Sequence, residues 1–370
     1  MHDTTIEQER RALSQEARRL HLQEYWVVQP DFQMTEPRAV ASPYLWKWAE
    51  VAPLLRKSGE VVGVGANVAE AERRALIFAN PSLGGKPDIT TTLYGDLQLV
   101  KPGEMAPAHR HTTTASRFIL QGSGGFTIVE GEKCTMARGD LIINPGWLWH
   151  DFGNEGNEDA IWLDVLDVPL VTTLNSVFYD YDYWKEADVD KTAQSVKKPT
   201  DSSHSLYSTG GVVPRFVGRP QNQYTRELLY KWENVCDVLE RLRSYPGSPY
   251  DGIIVEYTNP ETGGPVAPTM AFHVQLLRPG ERTLAHRHTS STVYCVVEGQ
   301  GYTQADRTRL EWTGNDVFVV PGWVWHQHVN LGSEADAILF SVSDAPAIEK
   351  LGLYREEGRT ATGDIVSITA

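Results

Sequence analysis

The chain repeats a short histidine-containing sequence, and this repetition constrains the possible folds more than any other feature. The sequence AHRHT occurs at residues 108–112 and returns at residues 285–289, an offset of 177 positions. The similarity extends outwards, from KPGEMAPAHRHT to RPGERTLAHRHT and from RGDLIINPGWLWHD to GNDVFVVPGWVWHQ. A chain with this internal similarity contains two copies of one structural unit, with further segments before and between them.

The residues around each copy favour β-structure. Short runs of apolar and β-branched residues alternate with glycine-containing turns, as in SRFILQGSGGFTIVEGEKC and STVYCVVEGQG. Such runs are typical of strands in an all-β sandwich or barrel. Two other segments, residues 4–23 and 225–244, carry a helical pattern, the second with Thr225 as a possible N-cap. The prediction is an all-β protein with helical additions.

The 370 residues suffice for about two domains of ~150 residues. The changes in sequence character predict five segments. They are an N-terminal helical and aromatic arm at 1–87, a first β unit at 88–180, a connecting segment with a helix at 181–250, a second β unit at 251–350 and a C-terminal tail at 351–370.

Composition excludes several classes of function. The formal net charge of -14 argues against a nucleic-acid-binding protein, which needs a basic surface, and against binding to an anionic membrane. No run of ~20 apolar residues predicts a transmembrane helix, and the charged N-terminus lacks an apolar signal-peptide core. The three cysteines, Cys134, Cys236 and Cys295, show no disulfide or Cys-x-x-Cys spacing. We therefore expect a cytoplasmic protein.

The repeated histidines have the spacing of metal ligands. On a strand, residues two apart face the same way, so His109 and His111 share one face. His150 begins another strand after a Pro-Gly turn, and in an antiparallel barrel that strand can lie beside the first. Three imidazoles would then form a facial site with open positions. A single His-x-His pair is more often structural, but the third histidine and the repetition favour a metal.

The second copy offers an equivalent set. His286, His288 and His326 could bind a second metal, and His328 is a possible accessory ligand because it shares a face with His326. In both copies, the sequence that follows the His-x-His pair contains no acidic residue, reading TTTAS in the first and TSSTV in the second.

These two motifs resemble those of cupins, and two copies resemble a bicupin, with two β-barrel domains in one chain. The acidic metal ligand of many cupins is absent after the second histidine. Together with ERRALIFANPSLGG at residues 72–85, the sequence HRHTTTASRFILQG is similar to the gentisate 1,2-dioxygenase and salicylate 1,2-dioxygenase family. The resemblance covers roughly residues 40 to 350.

The resemblance implies an activity and a cofactor. Members of the family bind ferrous iron through three histidines, here one Fe²⁺ per subunit in the first cupin, with a second metal possible in the other. An aromatic hydroxy acid chelates the iron, and the ring opens between the carboxyl-bearing and hydroxyl-bearing carbons with dioxygen as co-substrate. The family is commonly a homo-oligomer, often a tetramer, so we expect one here.

Candidate substrate residues follow from spacing and from the resemblance. Arg117 lies at an even spacing after His111, so it faces inward if the strand continues through the three threonines, and its guanidinium matches a carboxylate. The resemblance implies the same role for Arg73, pocket positions for Gln98 and Tyr94, and an acid near the site, Asp164, that orients a neighbour or moves a proton. A solvated surface arginine or a structural hydrogen bond is the simpler alternative for each charged residue.

Two differences refine the prediction. The second copy has Tyr294 in place of Arg117, so we expect chemistry only in the first cupin. Phe152 stands where many gentisate-type relatives have a histidine, which favours a salicylate carrying nitro, halogen or a fused ring, such as 5-nitrosalicylate, with gentisate close behind. The remaining alternatives are a zinc or manganese cupin isomerase or hydrolase and a non-catalytic bicupin binding protein.

Overall fold

The computed structural model describes residues 2–64, 71–183, 193–217 and 224–368. The described part is mainly antiparallel β-structure with short helices. The helices are α1 (His2–Arg19), α2 (Tyr25–Phe32), α3 (Trp48–Val61), α4 (Val168–Thr173), α5 (Ser202–Tyr207), α6 (Trp232–Leu242) and α7 (Ala345–Lys350). None of these helices is long and apolar enough to cross a membrane.

Residues up to Arg38 form a small unit of their own, which contains α1 and α2. Within α1, Arg11 pairs with Glu7 and Arg19 pairs with Glu16, both on the exposed surface. Such pairs, three or four residues apart, stabilise a helix only weakly when they are exposed to solvent.

The first barrel consists of two antiparallel sheets. One sheet has the strand order β12-β8-β5-β10-β3-β2 and the other has the order β11-β4-β9-β6-β7. Their bounds are β2 (Ala75–Ile77), β3 (Tyr94–Val100), β4 (Met105–His111), β5 (Ala115–Gln121), β6 (Gly125–Val129), β7 (Glu132–Thr135), β8 (Leu141–Asn144), β9 (His150–Asn154), β10 (Ala160–Leu166), β11 (Tyr179–Asp180) and β12 (Leu229–Tyr230).

The second barrel repeats this arrangement. Its sheets have the orders β1-β19-β16-β21-β14-β13 and β18-β17-β20-β15-β22-β23. Their bounds are β1 (Tyr44–Trp46), β13 (Ile253–Glu256), β14 (Ala271–Leu277), β15 (His286–His288), β16 (Thr292–Glu298), β17 (Gln300–Ala305), β18 (Thr308–Thr313), β19 (Val317–Val320), β20 (His326–Asn330), β21 (Ala337–Ser343), β22 (Glu356–Arg359) and β23 (Ile365–Ser367). Two barrels of matching topology make the protein a bicupin, as its sequence predicts.

Strand alternation divides the apolar side chains between two kinds of core. The inward faces of the first barrel bury a cluster that includes Ile119, Phe152 and Trp162. The outward faces of the two six-stranded sheets pack on each other, and at their centre Phe118 stacks on Phe340 with 3.9 Å between ring centroids. Because these sheets are buried on both faces, their outward faces are apolar, while their inward faces also carry buried polar residues such as Arg117 and Asp164.

In each barrel, one edge strand of a six-stranded sheet comes from the segment that precedes the other barrel. Strand β1 pairs with β19 of the second barrel, and β12 pairs with β8 of the first. The helix that follows each strand is anchored in the same way. Asp316 accepts hydrogen bonds from the Trp48 amide (2.7 Å) and from Lys47 Nζ (3.0 Å). Asp140 accepts equivalent bonds from the Trp232 amide (2.9 Å) and from Lys231 Nζ (3.1 Å).

The structure modifies three expectations about segments. Sheet pairing in the first barrel begins with β2, before residue 88, because Ala75 lies opposite Gln98. The segment taken as a tail contributes β22 and β23 to the second barrel. The helix predicted from Thr225 begins at Trp232 instead, and Thr225 does not cap it, because residues 229–230 extend to form β12.

Candidate metal centre and substrate pocket

The three histidines of the first copy come together inside the first barrel. His109 on β4 lies directly opposite His150 on β9, and His111 follows two residues later on the same strand face. Ring centroids are 4.3 Å apart for His109 and His150, 4.8 Å for His111 and His150, and 5.5 Å for His109 and His111. One potential ligand atom from each residue lies within 4.8 Å of the other two. This is the convergence that the sequence predicts.

Backbone carbonyls orient all three rings in the same sense. Each Nδ1 lies within hydrogen-bonding distance of a carbonyl two residues away: His109 with Pro107 at 3.2 Å, His111 with Thr113 at 2.8 Å and His150 with Leu148 at 2.9 Å. An Nδ1–H donated to a carbonyl leaves the Nε2 lone pair free to bind a metal. The carbonyl neighbours of the three Nδ1 atoms thus favour the tautomer that a metal site requires.

Burial keeps the three rings neutral. Each is at most 1% exposed. Burial lowers the pKa of His111 to about 4, and it lowers the pKa of His109 and of His150 well below the usual histidine range. Neutral imidazoles are the form that binds metals. The donor set therefore fits a divalent cation with three nitrogen ligands and open positions.

The route from His111 to Arg117 differs from the prediction. Strand β4 ends at His111, and the three threonines do not continue it but form a corner that leads to β5 in the opposite sheet. The corner also serves the site, because the Thr113 carbonyl accepts from His111. Arg117 nevertheless points into the barrel, because its position on β5 places it on the inward face of the second sheet.

Charged side chains line up across three neighbouring strands beside the triad. Arg117 on β5 lies opposite Asp164 on β10, which lies opposite Asp96 on β3. Opposed residues of an antiparallel pair place their side chains on the same face. Arg117 Nε is 3.5 Å from Asp164 Oδ1, and its NH1 donates to Thr127 Oγ1 at 2.7 Å. The barrel thus holds an arginine in place by two contacts, inside the same barrel as the metal ligands but on the facing sheet.

A second arginine reaches the triad from the segment before β2. Arg73 NH2 is 3.4 Å from His109 Nε2, and the charges of Asp96 and Asp164 act on its guanidinium. Two guanidinium groups and two carboxyl groups therefore surround one space next to the histidines. Gln98 is 1% exposed and, within the described residues, neither polar atom of its side chain has a hydrogen-bond partner. This polar space is suited to an anionic, hydrogen-bonding ligand.

Phe152 faces the barrel interior, as strand alternation from His150 predicts. Its ring lies under the Arg117 guanidinium at 4.5 Å and meets Trp162 edge-on at 5.5 Å. The guanidinium-aromatic contact is a cation–π interaction, which is stronger in a dry interior. Phe152 therefore supports the position of Arg117.

Sequence reasoning missed four residues of this site. Asp96 follows Tyr94 and precedes Gln98 at two-residue spacing, so strand periodicity could have identified it. Glu72 Oε1 is 3.5 Å from His109 Nδ1, and it stands next to an arginine that was identified. Tyr179 and Tyr181 lie beside His111 and His109, with 5.1 Å and 6.1 Å between ring centroids. These two come from a distant segment, so no local pattern indicates them.

The second triad also converges, with a different environment. Ring centroids of His286 and His326 are 4.3 Å apart, and those of His288 and His326 are 5.2 Å apart. His286 Nδ1 lies 3.1 Å from Glu356 Oε1 on β22, and its Nε2 lies 3.7 Å from Asp251 Oδ1. The Nδ1 of His328 instead lies 2.8 Å from Thr303 Oγ1.

The second barrel lacks the arginines of the first. Across the equivalent three strands the row reads Tyr294, Ser341 and His273. Around the triad, the space is lined by the carboxyl groups of Asp251 and Glu356 and by Tyr294. A cation fits these residues, but an anionic aromatic acid would meet carboxyl groups instead of guanidinium groups.

Comparisons with known proteins agree with this geometry. The cupin domain family matches residues 96–166 and 273–343. The chain is 39% identical over 363 residues to a 5-aminosalicylate 1,2-dioxygenase of Comamonas sp, covering 97% of this chain and 92% of the relative. It is 36% identical to gentisate 1,2 dioxygenase 1 of Aquipseudomonas alcaligenes, covering 90% and 91% of the two chains. The crystal structure of salicylate 1,2-dioxygenase from Pseudoaminobacter salicylatoxidans, as adducts with gentisate, superposes with a TM-score of 0.86 at 31% identity, covering 95% and 94%.

Proposed function

Because this chain belongs to the gentisate and salicylate 1,2-dioxygenase family of bicupin ring-cleaving dioxygenases, we propose that it opens a 2-hydroxybenzoate-type acid with dioxygen. Cleavage falls between the carboxyl-bearing and the hydroxyl-bearing carbons. The observation that carries the proposal is the placement of Arg117 and Arg73 in the same barrel as three neutral, converging imidazoles. That combination binds a metal and a carboxylate side by side.

Ferrous iron would be held by His109, His111 and His150. Because these three ligands are neutral, a metal bound by them would be strongly Lewis acidic and suited to an anionic acid. When bound, ferrous iron supplies the redox chemistry that dioxygen requires, which zinc does not. The hydrogen-bond contacts of the three Nδ1 atoms orient the rings so that their Nε2 atoms face the proposed metal position.

The arginines bind and orient the carboxylate. Arg117 is 3% exposed and held by Thr127, Asp164 and the ring of Phe152, so its guanidinium is placed before the substrate arrives. Preorganisation of this kind reduces the entropic cost of binding. Arg73 provides a second positive charge beside His109. Phe152, at the base of the pocket, excludes water from the Arg117 side.

The remaining pocket residues act by hydrogen bonding. Gln98 offers an amide to the substrate or its oxygen atoms, and Tyr94, which is less buried, lies on the same strand face. Asp164 orients Arg117, and burial raises the pKa of its carboxyl group, so it can also hold a proton near the reacting acid. The proposed substrates are a substituted salicylate, such as 5-nitrosalicylate, and gentisate.

The second barrel binds at most a cation and performs no ring cleavage. Its triad supports a second metal site, and Glu356 orients His286 as a carboxylate commonly orients a metal-binding histidine. Tyr294 replaces the arginine that would hold the substrate. We propose that the catalytic unit is built mainly on residues 88–180 and the silent unit mainly on residues 251–350, with β2 and β12 added to the first barrel and β1, β22 and β23 added to the second.

A homo-oligomer, with a tetramer favoured, and a cytoplasmic location complete the proposal. Exposed aromatic side chains support self-association: Trp26 is 67% exposed, Phe178 63% and Phe216 84%. Large apolar side chains on a surface often mark contacts between subunits.

An oxygen-electrode assay tests the proposed function. The protein is loaded anaerobically with ferrous iron and offered salicylate, gentisate, 5-substituted salicylates and 1-hydroxy-2-naphthoate. We expect oxygen uptake with at least one acid and none after loading with zinc. No oxygen uptake with any of these acids would favour the isomerase, hydrolase or binding-protein alternatives, and conversion of an acid by the zinc-loaded protein without oxygen uptake would favour the first two.

A further inference from the structure

A carboxyl group faces the metal-binding side of a histidine in the second barrel. His286 Nδ1 lies 3.1 Å from Glu356 Oε1, so a proton on Nδ1 is donated to that carboxylate. The opposite ring atom, Nε2, is buried, has no hydrogen-bond partner among the described residues and lies 3.7 Å from Asp251 Oδ1. Two atoms with lone pairs therefore face each other, an arrangement that a cation between them stabilises.

The distance between these two atoms suits a shared metal ion. A separation of 3.7 Å is too long for a hydrogen bond. With metal–ligand bonds of about 2.1 Å, two ligands of one ion lie about 3.0–3.6 Å apart. Ser248 Oγ donates to the other oxygen of Asp251, Oδ2, at 2.8 Å, which turns Oδ1 towards His286. Gln275 Nε2 reaches Oδ1 at 3.4 Å, and that oxygen keeps a further lone pair for a metal.

The other two rings of the second triad are oriented in the same sense. His288 Nδ1 lies 2.8 Å from the Ser290 carbonyl oxygen, and His326 Nδ1 lies 3.0 Å from that of Val324. The Nε2 of His326 is buried and, in the part of the chain that the structure describes, has no partner. One potential ligand atom from each of the three histidines lies within 4.8 Å of the other two. Three imidazole nitrogens and a carboxylate oxygen therefore border one position.

The first barrel has an acid at the equivalent place, but on the other side of its histidine. Ala75 on β2 and Ile254 on β13 lie opposite equivalent glutamines of the repeat, and the residues three positions before them are Glu72 and Asp251. Glu72 approaches the Nδ1 of its histidine at 3.5 Å, while Arg73 occupies the Nε2 side at 3.4 Å. Asp251 approaches Nε2 instead. Only in the second barrel does the acid lie where a metal binds.

The surroundings of the second triad are acidic. Three positions differ between the barrels, each by loss of a cation or gain of an acid: Arg73 and Gly252, Arg117 and Tyr294, and Tyr179 and Glu356. A cavity of about 380 Å³ next to the triad is lined by four carboxyl groups, those of Asp251, Glu256, Glu349 and Glu356. None of the described residues that line it is a lysine or an arginine. Such a cavity attracts a divalent cation and repels an anionic aromatic acid.

We propose that Asp251 is the fourth protein ligand of a second metal centre, which binds a divalent transition-metal ion through His286, His288, His326 and this carboxylate. Glu356 is a positioning residue that orients His286 from its Nδ1 side. The proposal rests on the second metal site of the proposed function and adds to it a ligand and a ligand class. The anionic ligand and the acidic cavity reserve this centre for a metal and water, whereas the first barrel combines a metal with an aromatic acid.

Titration of the metal-free chain with Co²⁺ tests the proposal without relying on turnover. His150→Ala serves as the background because it removes one ligand of the first site. We expect this variant to bind one Co²⁺ per chain, with a visible absorption band that salicylate does not change. Adding Asp251→Asn should weaken Co²⁺ binding at least about tenfold and shift the band, because removal of an outer partner alone costs about 10–100-fold. Glu356→Gln should weaken binding without a comparable shift of the band.

Two matched variants in the same background serve as controls. Glu256→Gln removes a charge from the same cavity, at a residue that lies one strand position outside the triad's contacts. His328→Phe introduces the residue that the first barrel has at this position, Phe152. Each should leave the Co²⁺ affinity within about threefold and the band unchanged.

Several results would overturn the proposal. Absence of bound Co²⁺ in folded His150→Ala would show that the second triad is not a metal site. An unchanged affinity and band in Asp251→Asn would exclude Asp251 as a ligand, and an equal loss in Glu256→Gln would reduce its effect to cavity charge. A larger loss in His328→Phe would assign the fourth position to His328. If His150→Ala does not fold, the native chain should bind two Co²⁺ and its Asp251→Asn variant one tightly. Oxygen uptake by the iron-loaded native protein tests the proposed function separately.

Discussion

Arg117 and Asp164 lie directly opposite each other on strands β5 and β10, with 3.5 Å between Arg117 Nε and Asp164 Oδ1. Both side chains are buried, at 3% and 5% exposure. Removing one member of such a pair leaves the other charge buried without compensation. The pair therefore links the proposed substrate arginine to the stability of the barrel.

Substituting Arg117→Ala should weaken substrate binding more than it slows the bound complex. The expected loss is about 2–5 kcal/mol, the range for truncating one partner of a buried charge pair. Anaerobic affinities and kcat/KM with salicylate-type acids measure it. Arg241→Ala is the control, since Arg241 pairs with Asp237 on an exposed helix surface. Full activity of Arg117→Ala would show that Arg117 does not bind the substrate.

The two triads should differ in their importance for turnover. Substituting His150→Ala removes one of three ligands in the first barrel and should abolish iron binding there and oxygen uptake. Substituting His286→Ala should reduce the metal content by no more than one ion per chain and leave turnover intact. Metal analysis and oxygen uptake on folded, iron-loaded variants distinguish the two. Complete inactivity of His286→Ala with iron in the first barrel would refute the division of roles.

The pH dependence of stability should report on Asp96. Burial, with the nearby Asp164 carboxyl group, raises the pKa of Asp96 to about 8, whereas an unfolded aspartate titrates near 3.8. Between these values the folded state holds a proton that the unfolded state releases, so this group lowers stability as pH rises. Above about pH 8 both states are ionised, and the effect becomes constant.

Asp96→Asn removes this titration. Relative to the native protein, the metal-free variant should therefore gain stability as pH rises from about 4 to 8, by at most about 1.4 kcal/mol per pH unit. Denaturant unfolding at several pH values measures the difference. A difference that does not change with pH in this window would show that Asp96 is ionised in the folded protein.

Asp140 and Asp316, which anchor the helices that follow β12 and β1, should stabilise the whole bicupin. Asp140 and Asp316 are 2% and 1% exposed, and each accepts from a helix amide and a lysine. Either Asp→Ala substitution should cost about 1–3 kcal/mol, because a helix amide and a lysine, both partly buried, lose their shared acceptor. Thermal unfolding measures the loss, and iron content in the first barrel checks that the site persists. Asp237→Ala, on an exposed salt bridge, should change stability by less than about 0.5 kcal/mol.

The sequence by itself determined the repeat, the β class and the pairing of His109 with His111 on one strand face. The strand face of a residue follows from the two-residue period of a strand, and the repeat follows from comparing the sequence with itself. Both can be read from the sequence without knowing which distant residues are in contact. The spacing of the three histidines and the motifs at residues 72–85 and 109–122 also indicated the family. The relatives and the superposed structure support that family. Arg117 was identified, although the reason assumed a continuous strand where the chain turns a corner at residues 112–114.

Tertiary structure alone decided which distant residues meet. Strand β1 joins the second barrel and β12 joins the first, and Glu356 reaches His286 from a segment that resembled a tail. Asp96 is recognised as a residue of the site only because it lies beside Asp164 and near the two arginines. Pairing between strands far apart in sequence depends on packing and register across sheets, which short-range periodicity does not record. For that reason the metal ligands and several candidate substrate residues could be named from the sequence, whereas the contacts of Asp96, Glu72, Tyr179 and Tyr181 with the site depend on the tertiary structure.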